Sequence, residues 1–373
     1  MARSSKPGSS KRWLPAAVVP AVIAGGVVVG TVQAGAATDL PDKSPQEVLA
    51  LAAGTDVRQL SGTVEQTSQL GLPQLPETEE TDSGPSAAAM LDLLAGSHSA
   101  RVYLDGHDKA RLQVLDRLAE RDVVRNGRDV WFYSSRQNEA VHALLPERTA
   151  KEAKESVQDK SGDDAGYTPE SLASRFLEAA EPSTRVTVGE DVRVAGRDAY
   201  RLLLDPDSAD TLVDSVAIAV DAETGLPLSV DVQARGQQEP AFELAYTKLS
   251  LGAPDPGVFD FTPPAGASVT EHTVPDQAAQ RAERNARDDG ADAQHPDGKA
   301  TKTGDGWDTV VELSATSLPE GWADSPAMAQ ALRKVDGGRL LSTALVNVLL
   351  TDDGRVFAGS VTPERLQAAA EGR

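Results

Sequence analysis

Val124-Arg125-Asn126-Gly127-Arg128-Asp129-Val130-Trp131-Phe132-Tyr133 decides how this chain is built. Two short runs of β-branched and aromatic residues flank an Asn-Gly pair, the strongest short-range signal for a two-stranded hairpin. Working outward, the same grammar recurs. Upstream lie Leu60–Gln66, Ala100–Asp105 and Arg111–Leu115, with Asp105-Gly106 as a turn; downstream lies Ala140–Leu145. The pattern resumes at Val192–Val194, turns at Ala195-Gly196, and continues through Ala199–Leu204, Val216–Val220, Leu228–Val232 and Phe242–Tyr246. Some ten sequentially adjacent antiparallel strands make a long meander. A sheet of that length curls, because strand twist accumulates.

Helix starts punctuate the strands. Ser44-Pro45-Gln46-Glu47 joins an N-cap, a proline at the first helical position and a capping-box glutamate. Thr168-Pro169-Glu170, Ser325-Pro326 and Thr362-Pro363-Glu364 repeat the device, and Met90, Leu91, Leu93 and Leu94 suggest a short helix over Ser86–Leu94. The fold class expected is therefore mainly β within α+β: a curved antiparallel sheet covered by the Ser44 and Thr168 helices, followed by a small α+β unit. Packed tightly, those helices make an ordinary core; sitting as a lid, they leave an apolar cavity. Periodicity alone leaves both arrangements open.

Composition bounds the chemistry. The 373 residues include no cysteine, which excludes disulfides, cysteine-ligated metals, thiol nucleophiles and lipid attachment through a lipobox. With 36 basic against 57 acidic side chains the net charge is −21, the wrong sign for a nucleic-acid partner. Arg3, Lys6, Lys11 and Arg12 precede an uncharged run from Trp13 to Thr38 rich in Ala, Val and Gly, with an A-x-A pattern at Ala34-Gly35-Ala36. Residues 1–36 read as a cleaved export signal, or alternatively as an uncleaved membrane anchor; both place the body outside the cytoplasm. Losing the four cations of that segment takes the charge from −21 to −25. Only two isoleucines and four asparagines occur among abundant Ala, Arg, Asp and Val, the skew of GC-rich bacterial codons. The body spans 37–275, a polar linker 276–306, and a C-terminal α+β domain 307–373. In that last domain the run Thr343–Leu350, the turn Thr351-Asp352-Asp353-Gly354 and the return Val356–Val361 form a hairpin. Leu75–Ser86, with four acidic residues and two prolines, reads as an acidic surface loop.

Catalytic and metal readings fare poorly. His98, His107, His142, His272 and His295 show no ligand spacing, and Ser97-His98-Ser99 lacks a nucleophile elbow. Asp105, Asp108, Asp352 and Asp353 are turn formers, and Asp205, Asp207, Asp210 and Asp214 lack an EF-hand pattern. No cofactor, metal or enzymatic activity is expected.

Three stretches carry a resemblance: the hairpin quoted above, Val220-Asp221-Ala222-Glu223-Thr224-Gly225-Leu226-Pro227-Leu228, and Phe259-Asp260-Phe261-Thr262-Pro263-Pro264-Ala265-Gly266. With the order of elements, they make Ser44–Val269 resemble the LolA-like lipoprotein carriers and the related sensor domain of the RseB/MucB sigma-factor regulators. That resemblance implies an incomplete, strongly curved barrel with a helical lid, an apolar cavity that binds lipid or lipoprotein acyl chains without chemistry, and a last strand ending in the two phenylalanines. A membrane protein, either an anti-sigma factor or a transporter, is the further partner it implies. Alternation selects Leu60, Val64, Val102, Leu104, Leu112, Val130 and Phe132 as cavity lining from the first half of the meander. Leu202, Leu204, Ile218, Leu228 and Val230 complete the set from the second. A parity error would move whole sets to the other face. The carriers lack a domain like 307–373, whereas the regulators have a second, smaller domain. Two functions therefore stand: an acyl-chain carrier, or an envelope-stress sensor acting on an anti-sigma factor. A structural envelope protein with a filled core is the third.

Overall fold

The computed structural model describes residues 39–71, 96–115, 119–145, 168–179, 184–273, 301–314 and 331–372. The stretch read as an export signal, the expected acidic loop, the expected Ser86 and Ser325 helices and most of the expected linker lie outside them. Helix α1 (Pro45–Ala53) begins with the expected capping box: Ser44 Oγ accepts from the Glu47 amide at 3.3 Å, and the Ser44 amide donates to Glu47 Oε2 at 2.8 Å. Then follow β1 (Gln59–Ser68), β2 (Gly96–Asp105), β3 (Lys109–Leu115), β4 (Glu120–Asn126), β5 (Asp129–Ser134) and β6 (Glu139–Leu144). Helix α2 (Pro169–Ala179) precedes β7 (Thr184–Val188), β8 (Val192–Val194), β9 (Arg197–Pro206), β10 (Val213–Asp221), β11 (Pro227–Ala234), β12 (Phe242–Leu251) and β13 (Ser268–Thr273).

These thirteen strands form one sheet in the order β13-β6-β5-β4-β3-β2-β1-β12-β11-β10-β9-β7, with β8 also on β9. It is a large, curved, open sheet and not a closed barrel. Strand β1 sits in its middle, pairing β2 on one side and β12 on the other. All ladders are antiparallel except β13 on β6. The deciding hairpin is present, shifted by one residue. Asn126 pairs Asp129, so the loop is Gly127-Arg128 with Gly127 at φ +65°, the glycine-first turn that matches strand twist.

One expectation is corrected. Phe259 and Phe261 do not end a strand. Pro256–Phe259 is a 3-10 turn, because Asp255 Oδ1 caps the Gly257 amide at 2.8 Å and Pro263-Pro264 offers no donors for a ladder. The segment instead covers the outer face of β3–β6. Phe259 is buried there, Arg111 donates to the Val258 carbonyl at 2.9 Å, and Phe261 packs against Trp131 and Tyr133. The chain then re-enters the sheet as β13.

The turn between β10 and β11 is tied down from two directions. Asp221, 1% exposed, accepts a bidentate pair from Arg197 and also receives the amide and hydroxyl of Thr224 at 2.8 and 2.7 Å. Burial alone would raise this carboxyl, but Arg197 and Thr224 outweigh it and hold it below its ordinary value. Gly225, at φ +75°, lies so near α1 that a Cβ there would stand 2.1 Å from the Leu51 carbonyl oxygen.

The C-terminal unit is a six-stranded antiparallel sheet, β14 (Thr301–Thr303), β15 (Val310–Ser314), β16 (Leu332–Val335), β17 (Gly338–Ser342), β18 (Asn347–Thr351) and β19 (Arg355–Gly359), ordered β14-β15-β19-β18-β17-β16. Helix α3 (Pro363–Ala370), capped by Thr362, buries Leu366 against Val310, Leu340, Leu349 and Phe357. The β18–β19 hairpin is the one read from sequence. Leu332, expected on a helix, lies instead on β16, because Asp336-Gly337 folds β16 back on β17. Part of the stretch read as linker, Thr301–Thr303, is an edge strand.

The two sheets meet along a main-chain seam. Thr211 bridges Val361, the Leu212 amide donates to the Ser360 carbonyl at 2.8 Å, and the Thr362 amide donates to the Asp210 carbonyl at 2.7 Å. Trp307 is inserted beside α2, its ring 5.8 Å from that of Phe176 and its Nε1 donating to Thr184 Oγ1 at 2.7 Å.

Candidate functional site

The register puts all twelve alternation-selected side chains on one face of the large sheet. Leu202 pairs Ile218, which pairs Val230, and on through Leu244 to Gln66; Leu60 pairs Leu104, Val102 pairs Leu112, and Phe132 pairs the neighbour of that row, Val123. This is the face that carries the helices. Helix α1 rests mainly on β7, β9 and β10, and α2 on β11 and β12.

The face is unevenly filled. Leu60, Val64, Val102, Leu202, Leu204, Ile218, Leu228 and Val230 are at most 2% exposed, packed in two clusters that include Val48 of α1 and Ala173 of α2. Toward the other end, Leu104, Leu112, Val123 and Val130 are only partly buried and Phe132 is 46% exposed. The apolar face thus extends from a packed core under the helices to an accessible surface on β3–β5.

Polar groups interrupt this face at its middle, and sequence reasoning missed them. Gln66 is 3% exposed with neither amide atom hydrogen-bonded, and His98, its partner on β2, is 8% exposed. Tyr246, paired with Val64 one row along, donates its hydroxyl to Glu170 Oε1 at 2.9 Å and so ties β12 to the first turn of α2. Gly62 allows this: a Cβ there would stand 2.7 Å from the Tyr246 ring. Burial pushes the Glu170 carboxyl up, opposed by its hydrogen bonds, and pushes the Tyr246 hydroxyl far up, with Glu170 adding to it. A signal was present in the sequence: Gln66 follows Leu60, Gly62 and Val64 in strict alternation, and His98 precedes Ala100, Val102 and Leu104.

Two consequences are measurable. Tyr246→Phe should cost about 1–3 kcal/mol, because it strands a buried carboxylate oxygen without removing ring packing; equilibrium urea unfolding reads this directly. His98 titrates at about 3, held down first by burial and then by the charge of Arg121. Its ring stays neutral in the fold, while the unfolded chain takes up a proton near pH 6.5. The contribution is therefore complete above about pH 6.5 and lost as pH falls toward 3. From pH 7 to pH 4 the wild type should therefore lose thermal stability relative to His98→Leu, which carries no proton at that position in either state; a difference between the two that does not change with pH would refute the assignment.

The remaining titratable candidates do not assemble. Ser97 and Ser99 pair Thr67 and Glu65 on the face opposite His98. His107 lies in the β2–β3 turn against Arg58, and His142 stacks on Trp131 at 4.2 Å while its Nε2 lies 2.8 Å from Asp129. His272 lies on β13, and His295 is outside the described residues. Asp353 serves its own turn with Thr351 and Arg355, and Asp207 faces Arg185. Among the described residues no group of His, Asp and Glu is arranged to hold a metal ion, and no helix is long and apolar enough to cross a membrane.

Comparison with known proteins follows the same line. No curated protein matches this chain. Among solved structures, the MucA/MucB complex of Pseudomonas aeruginosa is 16% identical over 87% of this chain and 96% of that one, with a TM-score of 0.42. An uncharacterized conserved protein from Thermus thermophilus is 13% identical, covering 61% and 98%, with a TM-score of 0.34. A LolA superfamily protein from Nitrosomonas europaea is 11% identical, covering 59% and 99%, with a TM-score of 0.23. The family model described as the MucB/RseB N-terminal domain matches residues 92–256. Over that segment, which holds two of the three motifs, the resemblance to the MucB/RseB regulators is borne out.

Proposed function

We propose that this chain is an exported, non-catalytic regulator of the MucB/RseB kind, which binds the extracytoplasmic part of a membrane anti-sigma factor and reads an apolar ligand on the helix-bearing face. The observation that carries this reading is the MucB/RseB match over residues 92–256. The partner is proposed because structures of this type include MucB bound to MucA(peri). A second domain joined by main-chain bonds beside α2 gives such a regulator a route by which the ligand face and a partner surface influence each other. The test is affinity capture with the full exported chain on detergent-solubilised membranes, with captured proteins identified by mass spectrometry. Enrichment of a membrane protein whose cytoplasmic part holds a sigma factor is expected; its absence overturns the regulatory reading.

A second reading, an acyl-chain carrier, is favoured by one observation: the apolar face continues past the helices to the exposed Phe132. Native mass spectrometry of gently purified protein, followed by organic extraction, tests it. Without copurifying acyl species or binding of a hydrophobic probe, the ligand face is no more than the sheet's core margin.

A further inference from the structure

One row of side chains crosses the helix-bearing face from β9 to β2: Leu202, Ile218, Val230, Leu244, Gln66, His98. The first four are apolar and at most 4% exposed. Gln66 is as deeply buried, at 3%, yet neither its Nε2 nor its Oε1 has a hydrogen-bond partner. Alternation along β1 aims it to the same side as Leu60 and Val64, above the sheet. One row away Glu170 uses Oε1 for the Tyr246 hydroxyl and leaves Oε2 buried and unpartnered.

Unpaired amides are rare in interiors because their lost hydration is not recovered. A leucine at position 66 would extend the apolar row without that penalty. A carboxamide, in contrast, holds a donor and an acceptor side by side, the complement of another amide. An ester offers acceptors only, and an ionised fatty acid would bring a second carboxylate close to Glu170.

We propose that Gln66 is the polar recognition point of this face, pairing with the amide of an amphipathic ligand whose hydrocarbon chain lies along the apolar surface toward Leu112 and Phe132. The ligand class is an acyl amide, in preference to a fatty ester or free fatty acid. The inference rests on the reading of the helix-bearing face as a ligand surface.

Three probes with one and the same hydrocarbon chain test it: oleamide, methyl oleate and oleate, each titrated into the full exported chain against a bound hydrophobic fluorophore. Oleamide should bind about tenfold tighter than methyl oleate, the effect of one hydrogen-bonded amide pair in a buried setting. Gln66→Leu should abolish that preference by weakening oleamide while leaving methyl oleate unchanged within about twofold. The same variant, freed of an unpaired amide, should melt higher than wild type in the absence of ligand, which also establishes that it folds; Gln66→Met serves as a second variant of similar volume. Equal binding of oleamide and methyl oleate to wild type means Gln66 is met by bound water, and overturns the proposal while the ligand face stands. Persistence of the preference in Gln66→Leu overturns it as well, assigning the selectivity to another group. If none of the three probes displaces the fluorophore, the ligand face itself fails and the inference falls with it.

Discussion

Gly225→Ala should destabilise the fold by about 4 kcal/mol, although it removes no side chain. About 1–2 kcal/mol comes from holding an L-residue at φ +75°. The remainder comes from the 2.1 Å approach of the new Cβ to the Leu51 carbonyl, which forces α1 off β9 and β10 or the β10–β11 turn out of its pairing. Gly127→Ala is the control. Its φ is +65° and nothing lies within 4 Å of the added carbon, so only the conformational cost of about 1–2 kcal/mol applies. Urea unfolding at constant slope separates the two cases. If both variants lose the same amount, α1 yields readily and the turn does not fix its position on the sheet.

The second large effect belongs to Arg197→Ala, expected to cost about 3–5 kcal/mol at neutral pH. Asp221, 1% exposed in the wild type, would keep only the Thr224 amide and hydroxyl and the Glu223 amide as partners. The pH dependence identifies the cause. In the wild-type protein the Asp221 carboxyl lies below its ordinary value, so its contribution is complete above about pH 3.8 and lost as pH falls through the folded value. In the variant, burial is no longer offset by the guanidinium and the carboxyl rises above its unfolded value. The variant's deficit is then present at neutral pH and shrinks as acid protonates the buried group. A deficit that stays constant between pH 7 and pH 4 would assign the loss to packing of the arginine stem.

Local signals in the sequence carried much of this architecture. Ser44-Pro45-Gln46-Glu47 and Thr362-Pro363-Glu364 place their helices because capping is a contract among four adjacent residues. Alternation fixed the face of all twelve selected side chains because each strand's parity is set by its own residues and transmitted by register. Depth of burial was not legible. Leu202 and Leu112 look alike in sequence, and only the placement of α1 and α2 over β7–β12 makes the first a core residue and leaves the second half-open. Strand β7 escaped notice because Thr184–Val188 is short and lies at a sheet edge, and β16 because Leu332 fitted the period of the expected Ser325 helix; Asp336-Gly337 was the clue that it turned back. The parallel return of β13 has no local signature at all, since its partner β6 lies more than a hundred residues earlier. Gln66 stands out in the sequence only as a strand end and Glu170 only as part of a helix start, because burial of a polar side chain is a property of the assembled face.

The seam between the two sheets has one more consequence. Its main bonds join Leu212 to Ser360 and Thr362 to Asp210 through backbone amides and carbonyls. Bonds of that kind are indifferent to which side chains stand at those positions, proline apart. Sequence drift can therefore remodel the helix-bearing face and the outer surface of the smaller sheet independently while these main-chain bonds persist, so either surface can change without rebuilding this part of the joint.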